Sequence, residues 1–145
     1  MDLVAVENDI VTKLQTDIGS NTIEIRSWPD NPDGYQVTHP GGAMLIRYNG
    51  SVYGDPIANP QKKIVQERTL EWIIAIAQRG LKLNAPHQGV YSLIESVRAS
   101  LTGYTITGFS DASVMMPVGD SFTQESGGLW IYGSTYSFTF PESES

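Results

Sequence analysis

Imidazole can act as base, acid or metal ligand near neutral pH, so the two histidines, His39 and His87, are the first residues to test for chemistry. Each stands beside a proline (His39–Pro40, Pro86–His87) in a stretch that reads as loop. No H-x-x-x-H or H-E-x-x-H spacing pairs either with a second ligand, so both are expected to be solvated loop residues. Asp30, Asp33 and Asp55 offer oxygen ligands for calcium, or carboxylates for acid–base work. An EF-hand loop needs alternating ligands, Gly at its sixth position and Glu at its twelfth. Here Pro32 stands where a ligand belongs, and residue 41 is Gly. Turn formation in WPDNPDGY (Trp28–Tyr35) accounts for Asp30 and Asp33, because Pro29 and Pro32 break regular structure and Asp33–Gly34 favours a positive φ. No serine lies in G-x-S-x-G, and neither a Walker loop nor G-x-G-x-x-G is present to cradle phosphate. The chain has no cysteine, which removes thiol catalysis, disulfides and cysteine–zinc sites and fits a reducing compartment. Asn49–Gly50–Ser51 has the form of a glycosylation acceptor but reads better as a turn between strands. No nucleophile, base and orienting group can be assembled. The expectation is a protein that is not an enzyme and uses neither metal nor cofactor.

Recognition is then the remaining chemistry. In LWIYGSTYSFTF, strand parity puts Trp130, Tyr132, Tyr136, Phe138 and Phe140 on one face, and Leu129, Ile131, Thr135, Ser137 and Thr139 on the other. Five same-face aromatics need burial, so packing under helices is preferred over stacking of bases or sugar rings. Trp28 and Tyr53 differ. They read as loop residues among Pro, Asp and Gly, where an ordered aromatic serves as an interface anchor. With Asp30, Asp55 and the adjacent basic pair Lys62–Lys63, they form the candidate contact set.

The elements that must position these residues follow from periodicity. Asp2–Ile18 is expected to be a helix, with stripes Val4, Val11, Ile18 and Leu3, Ile10, Leu14, and with Gly19 closing it. Thr22–Trp28 alternates as a short strand, and Ala43–Tyr48 as a second. Gln66–Gly80 is a long third strand. Leu70, Trp72, Ile74 and Ile76 share one of its faces; Thr69, Glu71, Ile73, Ala75 and Ala77 share the other, which turns from polar to small and apolar. So long a strand exceeds what a small domain needs for its own core, and suggests a sheet shared with another chain. Gly89–Leu101 places Val90, Leu93, Ile94, Val97 and Leu101 on one helical stripe, and Gly103 ends it. Tyr104–Gly119 and Gly128–Phe140 read as the last strands, with Asp120–Ser126 a polar loop between them. The order α-β-β-β-α-β-β implies an α+β fold: one domain over residues 1–140, a mostly antiparallel sheet of about five strands, and two helices packed on one side. Residues 141–145 are expected to be a flexible acidic tail.

Bulk composition bounds the partners. A length of 145 residues suits one domain, and 40% apolar content with 10% aromatic is enough for a core, which excludes a disordered chain. No apolar run reaches the ~18 residues of a membrane span. MDLVAVENDI begins acidic, without the basic region of a signal peptide, so membrane association and export are not expected. A net charge of −7 and a pI near 4.6 argue against a phosphate-gripping nucleic-acid binder.

Several segments together resemble one known family. They are the N-terminal helix, W-P-D-x-P after a short strand, GGAMLIRYNGS, the long R-T-L-E-W-I-I-A-I strand, GVYSLIESVRASLTGY, and the aromatic ending LWIYGSTYSFTF. From Leu3 to Phe140 the chain is similar to tail terminator proteins of tailed bacteriophages, especially those of Mu-like and other contractile-tailed phages. The resemblance implies a structural virion protein, assembled in the bacterial host cytoplasm and located at the tail or neck. It would form a homo-hexameric ring on the tail tube protein, stop tube polymerisation, and offer a joining surface to the head–tail connector protein. In contractile tails it would also meet the sheath protein, with DNA passing through the pore unbound. The family has no catalytic residues. A head-closure or tail-completion protein of the neck, and a monomeric small-ligand-binding module, are the alternatives.

Overall fold

The computed structural model describes residues 1–19, 21, 23–30, 35–58, 64–81 and 89–144, apart from the side chains of Ser143 and Glu144. Helix α1 (Leu3–Leu14) starts at Asp2, whose carboxylate accepts from the backbone N–H groups of Val4 (3.0 Å) and Ala5 (3.1 Å). It buries Val6, Ile10 and Leu14. Of the expected stripe Val4, Val11 and Ile18, the last two pack half-buried against the core, whereas Val4 is 66% exposed. A π-helical turn, Gln15–Gly19, follows. Strands β1 (Glu24–Ser27), β2 (Ala43–Tyr53), β3 (Ile57–Ala58) and β4 (Ile64–Gln78) come next. Helix α2 (Val90–Leu101), β5 (Met116–Ser126) and β6 (Leu129–Glu144) complete the chain.

The sheet runs β1-β2-β4-β6-β5, with β3 beside the start of β4. β1 and β2 are parallel; every other pairing is antiparallel. The fold is therefore α+β with six strands. β4 pairs with β6 along its whole length, from Ile64↔Glu144 to Gln78↔Trp130. Its other side is taken by β2 and β3. The excess length is thus absorbed within the chain, and β4 offers no edge to a neighbour.

Pairing puts Leu70, Trp72, Ile74 and Ile76 on the face shared by Met44, Ile46, Tyr136 and Phe138. The helices cover this face, α1 over β1 and β2, α2 over β4 and β6. Val90, Leu93, Val97 and Leu101 are buried, and Ile94 packs half-buried against the same cluster. At ~1.5–3 kcal/mol for each fully buried side chain, this stripe anchors the helix layer. Polar ties orient it. The Asp9 carboxylate accepts from the Tyr104 hydroxyl (2.9 Å) and the Thr107 N–H (2.9 Å), joining α1 to the loop after α2. Asp17 accepts from Ser100 (2.7 Å) and pairs with Lys13 (2.9 Å).

Four sequence expectations are corrected. Asn49–Gly50 is no turn: β2 continues through a bulge there and reaches Tyr53, which pairs with Arg68. Tyr104–Gly119 is mostly not strand, since residues 104–115 form turns and extended loop. The strand is β5, and it includes the Asp120–Ser126 stretch expected to be a loop; the hairpin turn is Gly127–Gly128, both with positive φ (58° and 86°). Finally, residues 141–144 are not a frayed tail. They extend β6 against β4, where Arg68 also holds Glu142 at 2.8 Å.

Candidate assembly surface

Tyr53, expected to be a loop anchor, ends β2 at the tip where β3 and the start of β4 meet. Its ring lies 5.5 Å from the guanidinium of Arg68. Arg68 donates to Ser51 Oγ (2.9 Å), Glu142 Oε1 (2.8 Å) and the Tyr48 hydroxyl (3.4 Å), and Tyr48 also bonds Ser51. Burial alone would raise the Tyr48 pKa, but the Ser51 and Arg68 hydrogen bonds outweigh it and hold the hydroxyl below its ordinary value. The network fixes the tip, and around it Val52, Tyr53, Ile57 and Ile64 expose large apolar surface. Asp55 is exposed nearby in sequence; Lys62 and Lys63 lie outside the described residues.

Trp28 belongs to a second region at the opposite end of β4. It follows β1 on the helix-free face, half-buried, with the Arg47 guanidinium 5.4 Å from its ring. Arg26 sits 5.8 Å from the Tyr35 ring in the same way. Between this aromatic wall and Thr123–Gln124 of β5 runs a groove of about 590 Å³. Leu45, Ala75, Ala77, Leu129 and Ile131 form its apolar floor, and Arg79 lines it. The small residues here are those that alternation on β4 placed opposite the core. Gly42 is required beside the groove: its φ is +95°, and a Cβ would fall 2.1 Å from the Ala77 carbonyl oxygen. The Tyr35 hydroxyl is buried with no hydrogen bond among the described residues. Burial first, and the Glu24 carboxylate second, push it up to about 12. Asp30 is exposed and makes no ion pair among the described residues.

The third region was missed at the sequence level. All eleven residues of β5 are exposed, including Met116, Val118 and Phe122, and among the described residues its outer edge has no partner strand. The Phe122 ring lies beside those of Trp130 (6.1 Å) and Tyr132 (5.6 Å). The alternation of β5 is weak because register shifts interrupt it at Pro117/Gly119 and Phe122/Gln124. The aromatic face of β6 accordingly divides. Tyr136 and Phe138 are core, while Trp130 and Tyr132 stay half-buried beside β5.

His39 serves its own turn, Nδ1 accepting from the Gly41 N–H at 2.9 Å. His87 and Asp33 lie outside the described residues. Among the described residues no three His, Cys, Asp or Glu side chains gather as metal ligands, and no helix is long and apolar enough to cross a membrane.

A family profile described as Gp37 protein matches residues 10–141, from the last turns of α1 through α2 and β1 to β5 and most of β6. The chain belongs to the Gp37 protein family. This is a phage-associated family, so the exposed tip, groove and β5 edge are surfaces of a bacteriophage protein. No curated protein matches the chain.

Proposed function

We propose that this Gp37-family chain is a tail terminator, a structural virion protein whose six copies form a ring on the end of the tail tube. The observation that carries the reading is β5: an eleven-residue edge strand, exposed throughout, in a sheet whose long central strand is fully paired. Exposed edges are ordinarily short or covered. The bulges and Pro117 make β5 a poor template for unlimited strand addition, yet leave a shaped apolar surface for a defined partner. Because β5 and β1 lie on opposite sides of the sheet, contact between them or their flanks is head-to-tail, and such contacts close into rings when the rotation allows.

A ring of this kind stops tube growth by matching the tube on one face and not repeating that face on the other. The other face would meet the head–tail connector and, in a contractile tail, the sheath. The protein acts without catalysis in this reading. Six copies of a −7 chain carry about −42, a charge that keeps DNA moving through a pore without sticking.

Electron microscopy of the purified protein, alone and mixed with tail tubes, tests the proposal. Six-fold rings seated at one end of the tubes are expected. Tubes with bare ends, or with density displaced to the head side of another ring, would overturn it in favour of a different neck protein. The groove favours one other reading, a monomeric module for a small apolar ligand; it predicts a ligand-dependent rise in melting temperature and no ring.

A further inference from the structure

We infer that the groove on the helix-free face receives the β5 edge of the next copy, an assignment that rests on the ring reading and specifies its contact. Three observations converge. First, charge is segregated along the chain. From Ala99 to Ser145 there is no Lys or Arg but five carboxylates: Asp111, Asp120, Glu125, Glu142 and Glu144. Of the nine basic residues, Arg79 lines the groove, and Arg26 and Arg47 lie against the Tyr35 and Trp28 rings of its aromatic wall. Arg26 has Glu24 at 3.8 Å, whereas Arg47 and Arg79 have no ion pair among the described residues.

Second, the apolar parts match. The groove floor is made of Leu, Ile and Ala side chains, and about 590 Å³ is room for several side chains of the size of Met116 and Val118. Those two are 51% and 55% exposed at the start of β5, with the acidic Asp120 and Glu125 further along the same strand. An apolar segment followed by carboxylates thus meets an apolar floor with arginines at its margin. Desolvated charge pairs of this kind set register more than affinity.

Third, the aromatic wall of the groove stands on the β1–β2 side, while Thr123 and Gln124 of the chain's own β5 form the opposite wall, so the outer edge of β5 faces away from the groove. One copy cannot fill its own groove with its own outer edge. The docking is therefore directional, each copy giving β5 to one neighbour and its groove to the other, which is the heterologous contact a ring needs.

Charge reversal in trans tests this. Arg79→Glu and Glu125→Arg both lie at exposed positions, and circular dichroism should show both variants folded. By native mass spectrometry, with tail tubes as the assembly partner if the free protein stays monomeric, each variant alone should associate on the order of 100-fold more weakly than the parent chain. Mixed in equal amounts they should recover six-membered rings of alternating subunits, since every junction then pairs opposite charges. As a second measurement, the cysteine-free background allows Gln36→Cys with Ser121→Cys, which should give a disulfide-linked ladder ending at six. If the parent chain forms rings and neither reversal nor cross-linking involves these residues, the groove assignment falls while the ring stands. If the parent chain forms no ring, alone or on tubes, both fall.

Discussion

β1 and β5 bound the same sheet on its two sides, yet the chain treats them in opposite ways. β1 has four residues. Its Glu24 and Trp28 N–H groups turn inward to β2, and on its outer side the Gln15 amide donates to the Ile25 carbonyl at 2.8 Å. The π-helical turn that follows the helix roofing β1 therefore reaches its free edge. β5 has eleven residues, all of them exposed, with large apolar side chains among them. An edge that is merely tolerated would resemble β1. The cost in solubility of leaving Met116, Val118 and Phe122 in water is offset only when something covers them, so the asymmetry separates the surface that finishes the monomer from the surface that extends it.

The largest effects should come from the interior that both edges flank. Trp72 is fully buried beneath α2, with Tyr48 5.3 Å away. Trp72→Ala should cost about 3–5 kcal/mol in denaturant unfolding. Trp72→Phe should cost clearly less, since the Trp72 Nε1–H has no hydrogen-bond partner among the described residues and its loss removes a buried unpaired donor. Equal losses would show that the indole nitrogen has a partner.

Alkaline pH comes next. Tyr35 and Tyr136 are both pushed up to about 12, burial being the main cause in each. Below pH 10 the hydroxyls are neutral in folded and unfolded chains alike, so they leave stability unchanged. Above pH 10 the unfolded chain ionises first, and stability should fall progressively towards pH 12. Tyr136→Phe should flatten that fall, as followed by thermal melts across the range.

At the tip, Arg68→Met strands the partly buried Glu142 and should cost about 2 kcal/mol. A double-mutant cycle with Glu142→Gln should recover much of it. On the β1 side, Gln15→Ala frees the Ile25 carbonyl and should cost about 1 kcal/mol. If the protected edge is a real device, that variant should also self-associate through β1, which light scattering would detect.

The sequence made the buried half of the molecule legible and the assembly half much less so. Alternation on β4 and β6 and the stripe of α2 are driven by burial on one face, and Leu70, Trp72, Ile74, Val97 and Phe138 all lie where that pattern placed them. β5 lacks the signal because no face of it is buried, and its two register shifts interrupt what alternation remains. Asn49–Gly50 carried a strong turn signature, but pairing of Tyr48 with Trp72 and of Gly50 with Glu71 on β4 overrides it and leaves Asn49 as a bulge. Of the proposed contact residues, Trp28 is a groove wall and Tyr53 a tip residue, at opposite ends of β4. Local sequence could identify exposed aromatics without saying that they face different ways. The groove itself is lined by Trp28, Leu45, Ala77 and Ile131, which become neighbours only through the β1–β2–β4–β6 order.

The smallest expected change in monomer stability is the one that bears most directly on the contrast between the edges. Phe122 is 54% exposed and lies beside the rings of Trp130 and Tyr132. Phe122→Ser should therefore shift unfolding by roughly 0.5 kcal/mol or less, as surface substitutions generally do. The same variant should lose ring formation on tube ends, because β5 would no longer present a continuous apolar surface. A matching substitution at an exposed apolar site away from the edge, Val4→Ser on α1, should leave both quantities alone. Should Phe122→Ser destabilise the monomer by several kcal/mol, β5 would be part of the fold's own core. Its exposure would then say nothing about a neighbour.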